Sequence, residues 1–402
     1  MKCLDSKFFH LTCILILVAA FSQFIKIKGH KENDHLVYYR TALRLNQNDY
    51  KNIYTLKDGA FPFQYAPSTL FIFKPLSYFS ETQSRKIWII VQSIFFFAGL
   101  IILSWILKIL GSANSWKVLF FSTLILYRYY LDSLFCGQIS GLMFFIFTCS
   151  LYFHLKNKYF GSIMFVFWNS LFKILPAVYL LAYIDDMKSF RRFTKILLIV
   201  IFISSLPVLI ILFRDPYLGN YFSLLHKEWL KIILENQQYF DGSTIKNQSL
   251  RGFLLRLIGQ KPMTDYIWKF SLFILTVKIL IIKSYGHFES AKNKIIFFII
   301  TILFFEIVMP ENLPYQMLNM LIPVAFMIQE LISNRGKLNA YFLISFCLFN
   351  SLSSVDLVGH YISNAVQLYS IPLFLNIILL FYFSKRILSS PSLALEKLNL
   401  EK

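Results

Sequence analysis

A carboxylate, a lysine and an arginine stand at unusual places in an otherwise apolar chain, and their types suit a transfer reaction. Asp34 lies in the stretch Gly29 to Pro67, just past a first apolar run, and Tyr38, Tyr39 and Arg40 follow it. A carboxylate near a membrane surface and among aromatic rings is partly desolvated, which makes it more basic. It could take the proton of an attacking hydroxyl; a solvated loop acid, like the neighbouring Glu32, is the plainer alternative. Lys173 sits inside the apolar segment Tyr159 to Ile184. A charge there is costly and usually marks a site. It could hold a phosphate as a point charge, or simply reach for the membrane interface.

Further polar residues have the same double reading. Asn247, Gln248 and Ser249 precede a short amphipathic piece, Leu250 to Ile258, that contains Arg251 and Gly252. Ser249 or Asn247 could cap that helix, whose N-terminus would favour an anion, and Arg251 could add a bidentate contact. The other reading is an ordinary cap. Gly137-Gln138 reads as a turn in which Gln138 could hydrogen-bond a ligand hydroxyl. Glu311 lies in the turn Pro310 to Pro314. Glu306, Asp356, Arg128 and Asp132 lie in apolar runs, and an Arg128–Glu306 pair is one arrangement open to them.

The elements that must position these groups are membrane helices. The sequence is 57% hydrophobic and only 15% charged, whereas soluble domains carry roughly 25% charged residues. Apolar runs of about 20 residues, the length of a bilayer crossing, recur throughout. They do not alternate, which excludes a porin-like barrel. The net charge of +19 suits basic loops facing anionic lipid, and no Lys/Arg block suggests nucleic acid. The five cysteines and seven histidines lack ligand spacing, so neither a disulfide framework nor a metal site is expected.

The first run, Phe8 to Ile27, reads as an uncleaved signal-anchor with a cytoplasmic N-terminus, placing Asp34 outside. Residues 28–86 form a large first outer loop. Within it Leu36 to Leu45 reads as an amphipathic helix, and Phe61 to Phe79, broken by Pro62, Pro67 and Pro75, dips into the interface. Crossings follow at Ile87 to Leu107, Val118 to Phe135 and Ile139 to Leu155. Tyr159 to Ile184 lies between two basic loops. It is either two short helices meeting near Asn169 to Lys173, or one crossing that violates the charge bias. Ile196 to Phe213 leads to a late outer loop, residues 214–265, too long for a simple connection. Five further runs follow, at Tyr266 to Ile282, Ile295 to Met309, Tyr315 to Ile332, Leu338 to Val358 and Leu368 to Phe383. The expectation is about twelve crossings in one all-α polytopic domain over residues 1–390. A cytoplasmic tail, 391–402, follows, both termini are inside, and Asp34, Gln138, Lys173, Asn247 to Arg251 and Glu311 gather at the outer face.

The order of these motifs resembles the GT-C glycosyltransferases, and more closely glycosyltransferase family 87. Asp34 with Tyr38, then Tyr54, Tyr65-x-Pro67 and Pro75-Leu76, is similar to the family's first outer loop. Gly137-Gln138-x-x-Gly141, Gly161 with Lys173-x-x-Pro176, and Asn247-Gln248-Ser249-x-x-Gly252 agree with later elements. The similarity runs from about residue 10 to 330; each motif is short, and their order carries the resemblance. It implies a GT-C fold with paired short helices 5 and 6. It also implies an inverting, outer-face transfer of a hexose, with mannose as leading candidate, from polyprenyl phosphate to a lipid or glycan. Asp34 would match the family's first-loop acid. The leaving group is already a phosphate, so cations rather than a general acid must stabilise it, and Lys173 and Arg251 are the candidates. Tyr38, Tyr65, Gln138, Asn247, Gln248, Ser249 and Glu311 would bind substrate. No cofactor, metal or nucleic acid is implied; the partners are the lipid-linked sugar, the acceptor and membrane lipids, for a monomer in the plasma membrane. The sequence departs from the pattern after Pro310, where Glu311 to Tyr315 replace the Ser-Trp-x-His-like motif of some members, so acceptor and sugar stay open. A transporter or flippase would set its polar residues at mid-bilayer in repeated halves, and a glycan polymerase or ligase would depend on the late loop.

Overall fold

The computed structural model describes residues 2–26, 34–54, 62–173, 175–183, 187–214, 216–235, 244–259, 261–285, 288, 290–309, 312–333, 337–352 and 355–389. The described residues are helical, with no strand among them. In chain order the helices begin with α1 (Lys2–Lys26) and α2 (Asp34–Asn46), then short 3-10 turns and α3 (Leu70–Phe73) up to Tyr78. There follow α4 (Glu81–Ile109), α5 (Ser115–Ile125), α6 (Tyr127–Cys136), α7 (Ser140–Leu155), α8 (Tyr159–Phe172) and a 3-10 segment, Leu175–Tyr183. Next come α9 (Met187–Arg214), α10 (Pro216–Glu235), α11 (Leu250–Ile258), α12 (Lys261–Tyr285) and α13 (Ala291–Val308). A 3-10 segment, Pro314–Met320, leads into α14 (Leu321–Ile332), and α15 (Lys337–Leu352), α16 (Val355–Leu368) and α17 (Ile371–Leu388) complete the chain.

Three described helices, Asp5–Lys26, Glu81–Ile109 and Ile371–Leu388, are long and apolar enough to cross a membrane. The pair α5 and α6 makes a fourth span if counted together, but it is bent by 62°. The sequence reads Val118 to Phe135 as one crossing; the break at Leu126 divides it. Ser122 Oγ donates back to the Val118 carbonyl at 2.7 Å, a bond that loosens the helix it sits in. The residues beyond the break are amphipathic, with Arg128 3.6 Å from Asp132 one turn on. Tyr130 donates to Ser93 Oγ at 2.9 Å, which ties α6 to α4. Within the run Leu338 to Val358 the described helices are α15, ending at Leu352, and α16, starting at Val355.

The described residues form two apolar cores. In the larger, every residue of α13 from Ile295 to Val308 is buried, as expected of a helix apolar on all sides. The smaller joins the first loop to the helix ends around Tyr38, Phe63, Tyr65, Phe73 and Trp88. Tyr38 stacks on Phe73 at 4.7 Å and meets Trp88 edge-on at 5.5 Å. The prolines of 62–79 prevent a continuous helix, and the segment instead forms two 3-10 turns flanking α3.

Between α8 and α9 the chain turns back on itself. Lys173, in extended conformation, ends α8. The returning segment brings the Tyr183 hydroxyl onto Ser162 Oγ and within 3.4 Å of Ser150 Oγ. Residues near the two ends of 159–184 are therefore in contact, and the segment is a hairpin with Lys173 near its apex.

Candidate active site

Asp34 occupies the first turn of α2 and is half-buried. An acidic residue there suits the positive end of the helix dipole. The next residue anchors the helix. His35 Nε2 shares a 2.9 Å hydrogen bond with Ser84 Oγ, and the His35 ring stacks on Tyr39. Burial first, and the Arg85 guanidinium second, push His35 down to about 3, against the hydrogen bond to Ser84. The His35 imidazole is therefore neutral. The turn after α6 comes equally close. Gly137 has φ of 70°, and a Cβ there would lie 2.7 Å from His35 Cβ. Trp88 Nε1 donates to the Gly137 carbonyl at 2.9 Å.

The Asp34 charge reaches the Tyr65 phenol. Burial first and that charge second raise Tyr65 above its usual range, while the hydrogen bond with Tyr38 opposes the shift. The Tyr38 and Tyr65 hydroxyls are 2.8 Å apart. Tyr54, buried as well, donates to the Tyr65 carbonyl at 2.9 Å. From Tyr65 the contacts pass directly to the hairpin: its ring meets Phe172 edge-on at 5.8 Å, and Ala66 N donates to the Leu171 carbonyl at 3.0 Å. Lys173 is the next residue. Asp34, Tyr38, Tyr65 and Lys173 thus belong to one connected region.

The late loop supplies the other side. Asn247 Oδ1 accepts from Ser249 N at 3.1 Å and from Asn312 N at 2.9 Å. Ser249 Oγ caps α11 by accepting from Gly252 N at 3.0 Å. Gly252 is required because a Cβ there would sit 2.5 Å from Asn247 Cγ. Gln248 N donates to the Asn312 carbonyl at 2.8 Å, and its side chain donates to Ile245 and Gln367 carbonyls. Arg256 braces the loop through the Thr244 and Asn247 carbonyls at 2.7 and 2.9 Å. Arg251, buried, donates from Nε to Asp265 at 2.8 Å. All three motif side chains are buried, so this segment is a scaffold that fixes Asn312. Gln138 is buried too, and Gly141 serves packing, since a Cβ would lie 2.4 Å from the Gln92 carbonyl of α4. Glu311 lies outside the described residues.

Asn312 in turn leads to a residue that the sequence flagged without assigning. Its Nδ2 donates to the Glu306 carbonyl at 2.8 Å. Glu306 is fully buried, and the Lys173 charge is felt at its carboxyl. Lys246 also bears on the site, because Asp34, Asp132, Lys246 and Arg85 all act on the Cys136 thiol. The first loop, the hairpin and the late loop therefore converge. Among the described residues no group of three or more His, Cys, Asp and Glu is arranged to hold a metal. An open groove of about 470 Å³ between Lys158, Tyr159 and Arg192 lies at the other end of α8 from Lys173.

Sequence reasoning passed over α10. Its buried Leu218, Leu225 and Ile232 recur every seven residues, a helical signal available in the sequence. Trp229 Nε1 donates to the Gln64 carbonyl at 3.0 Å, so α10 packs over the first loop.

The described residues are helical, with apolar spans and a polar region assembled at helix ends, an architecture that suits a membrane protein. The sequence pattern of glycosyltransferase family 87 matches residues 63–310, and the chain belongs to that family. The match takes in Lys173, the Asn247 segment and Glu306, and begins after Asp34. No curated protein matches the chain.

Proposed function

We propose that the protein moves a hexose, mannose being the first candidate, from a polyprenyl-phosphate donor to a lipid or glycan acceptor, with inversion. Asp34 takes the acceptor proton as the new bond forms. Lys173 meets the departing phosphate, whose charge grows in the transition state. Tyr38 and Tyr65 shape the region between them. Asn247, Gln248 and Ser249 act by fixing the late loop, and Arg251 by holding that loop to Asp265 with its remaining N–H groups turned to the donor phosphate. Gln138 and Glu311 complete the substrate contacts. In this reading the chain is a GT-C domain of about twelve crossings, a monomer in the plasma membrane with both termini cytoplasmic and the site outside.

One observation carries this reading. The half-buried Asp34 acts on Tyr65, whose ring touches the residue before Lys173. A base and a phosphate-seeking cation on one connected surface are what such a transfer needs, and family membership names the reaction class. The test is incubation of purified protein with labelled polyprenyl-phosphate mannose and a membrane extract, with polyprenyl-phosphate glucose in parallel. Transfer from either donor, lost in Asp34→Asn, is the expected result. Transfer only from a nucleotide sugar would overturn the donor assignment.

A further inference from the structure

The end of α8 remote from Lys173 carries a groove that the proposed transfer does not use. It holds about 470 Å³ and lies between the start of α8, the start of α9 and Phe153 of α7. Its rim is cationic, with Lys158 and Arg192, both exposed. Its walls are apolar, with Phe153, Phe160 and Ile196. Local contacts hold this shape. Asn157, with φ of 56°, turns the chain out of α7. Its N–H donates to the His154 carbonyl, and that of Lys158 to the Phe153 carbonyl, both at 2.9 Å. Lys294 Nζ of α13 donates to Asn157 Oδ1 at 2.7 Å, so the turn that presents Lys158 is tied to a second helix. The Arg192 guanidinium lies 5.1 Å over the Tyr159 ring, a contact that engages its face and not its N–H edge. Phe153 is backed by Phe165, stacked at 5.7 Å. Gly161 keeps the floor low, since a Cβ there would lie 3.3 Å from the Phe153 ring.

Charge and apolar surface together identify the occupant. Among the described residues no acid pairs with Lys158 or Arg192. Asp185 and Asp186, the acids nearest Arg192 in the chain, lie outside them. From the groove α8 and α9 run side by side, tied where Trp168 Nε1 donates to Ser204 Oγ at 2.9 Å. On the side of α9 that bears Ile196, Ile199 and Ile203 are exposed, so apolar surface continues away from the rim. A soluble anion would use only the rim, and an apolar segment only the walls. We propose that the groove binds one anionic diacyl phospholipid, with its phosphate between Lys158 and Arg192 and an acyl chain along Ile196, Ile199 and Ile203. Arg192 gives the phosphate a two-pronged contact and Lys158 a point charge. Basic pockets between membrane helices suit such headgroups. The walls come from the helices before and after the returning limb of the hairpin, so the lipid clasps the hairpin at its base.

The test uses the full-length protein, delipidated in detergent, with bound lipid counted by native mass spectrometry. Phosphatidylglycerol is titrated beside phosphatidylcholine, and glycerol 3-phosphate serves as a soluble competitor. Phosphatidylglycerol should fill one saturable site about tenfold or more tighter than phosphatidylcholine, and K158Q/R192Q should weaken it by about tenfold or more, the order of two cations acting on an anionic lipid. K156Q/R191Q removes the same charge from exposed neighbours outside the groove and should change binding by less than about threefold, because salt screens the longer distance. Equal losses in the two double variants would mean diffuse attraction to a basic surface and would overturn the site. Equal binding of the two lipids would overturn it too. Displacement by glycerol 3-phosphate at concentrations matching the lipid would make this a free-phosphate site and overturn the lipid. Unchanged lipid binding in K158Q/R192Q, with loss of a self-associated form, would assign the groove to a second copy of the chain instead. G161L keeps the charges and fills the floor, so it should also weaken phosphatidylglycerol; unchanged binding there overturns the acyl-chain path. Should G161L not fold, the surface variant K158Q/R192Q decides alone.

Discussion

Asp34 and His35 are adjacent residues with opposite duties. Asp34 is half-buried at a helix start, and His35 is a buried neutral imidazole bound to Ser84. Asp34→Asn keeps the shape and the helix start but removes the proposed base. We expect transfer to fall by about 100-fold or more, the usual worth of general base catalysis, with an unchanged melting temperature. Full activity in that variant would remove Asp34 from the chemistry. His35 carries a pH prediction. Its folded value, about 3, lies below the unfolded value of about 6.5, so the unfolded chain binds the proton first. Stability is whole above about pH 6.5 and declines as pH falls toward 3, by about 2 kcal/mol between pH 6.5 and 5 from this residue alone. Melting curves over that range should flatten in His35→Gln; an unchanged slope would assign the loss to other groups.

At the scale of elements, what the sequence made legible follows from local spacing. The amphipathic run at 36–45 became α2, and the Ser249 cap preceding Leu250 to Ile258 became α11. Both signals are contained within a few turns. The bend at Leu126 was not legible, because no Pro or Gly marks it and the cause is a serine back-bond together with docking of Tyr130 onto α4. The candidate site was legible as a set of odd polar residues, but not as an arrangement. Tyr65 and Phe172 are 107 positions apart in the chain, and only the fold brings the first loop onto the residue before Lys173. Nor could spacing reveal that Asn247 accepts from the backbone of Asn312. That role yields a prediction. In Gly252→Ala the new methyl carbon would meet Asn247 Cγ at 2.5 Å and its carbonyl at 2.9 Å. Forcing Asn247 aside should cost about 1–3 kcal/mol, as overpacking does. It should also release Asn312, so hydrogen exchange at 247–253 and 312 should rise together. Faster exchange at α11 alone would show that the two segments are not coupled.

Across the whole molecule, the candidate site and a buried ionic cluster lie at opposite ends of α13. Glu306 lies near its C-terminus. Near its N-terminus Lys292 Nζ is 2.9 Å from Glu330 of α14, and Arg386 of α17 grips the same carboxylate with two N–H groups. The fourteen-residue step from 292 to 306 spans about 21 Å of helix. Glu330 is buried, and Arg386 also lies 5.7 Å over the Phe326 ring, so this cluster ties α13, α14 and α17 together away from the site. Removing one partner of such a buried group leaves the others uncompensated. Glu330→Gln should lower stability by about 3 kcal/mol, toward the low end for broken buried pairs, because Lys292 is 40% exposed and recovers water. Pairing it with Arg386→Met should restore much of the loss, since apolar replacement of a buried pair is often neutral. KM and kcat of the folded fraction should match the parent in both variants. If Glu330→Gln instead changed KM at an unchanged melting temperature, α13 would have to transmit strain along its length. The separation of a stabilising end from a reacting end would then be wrong.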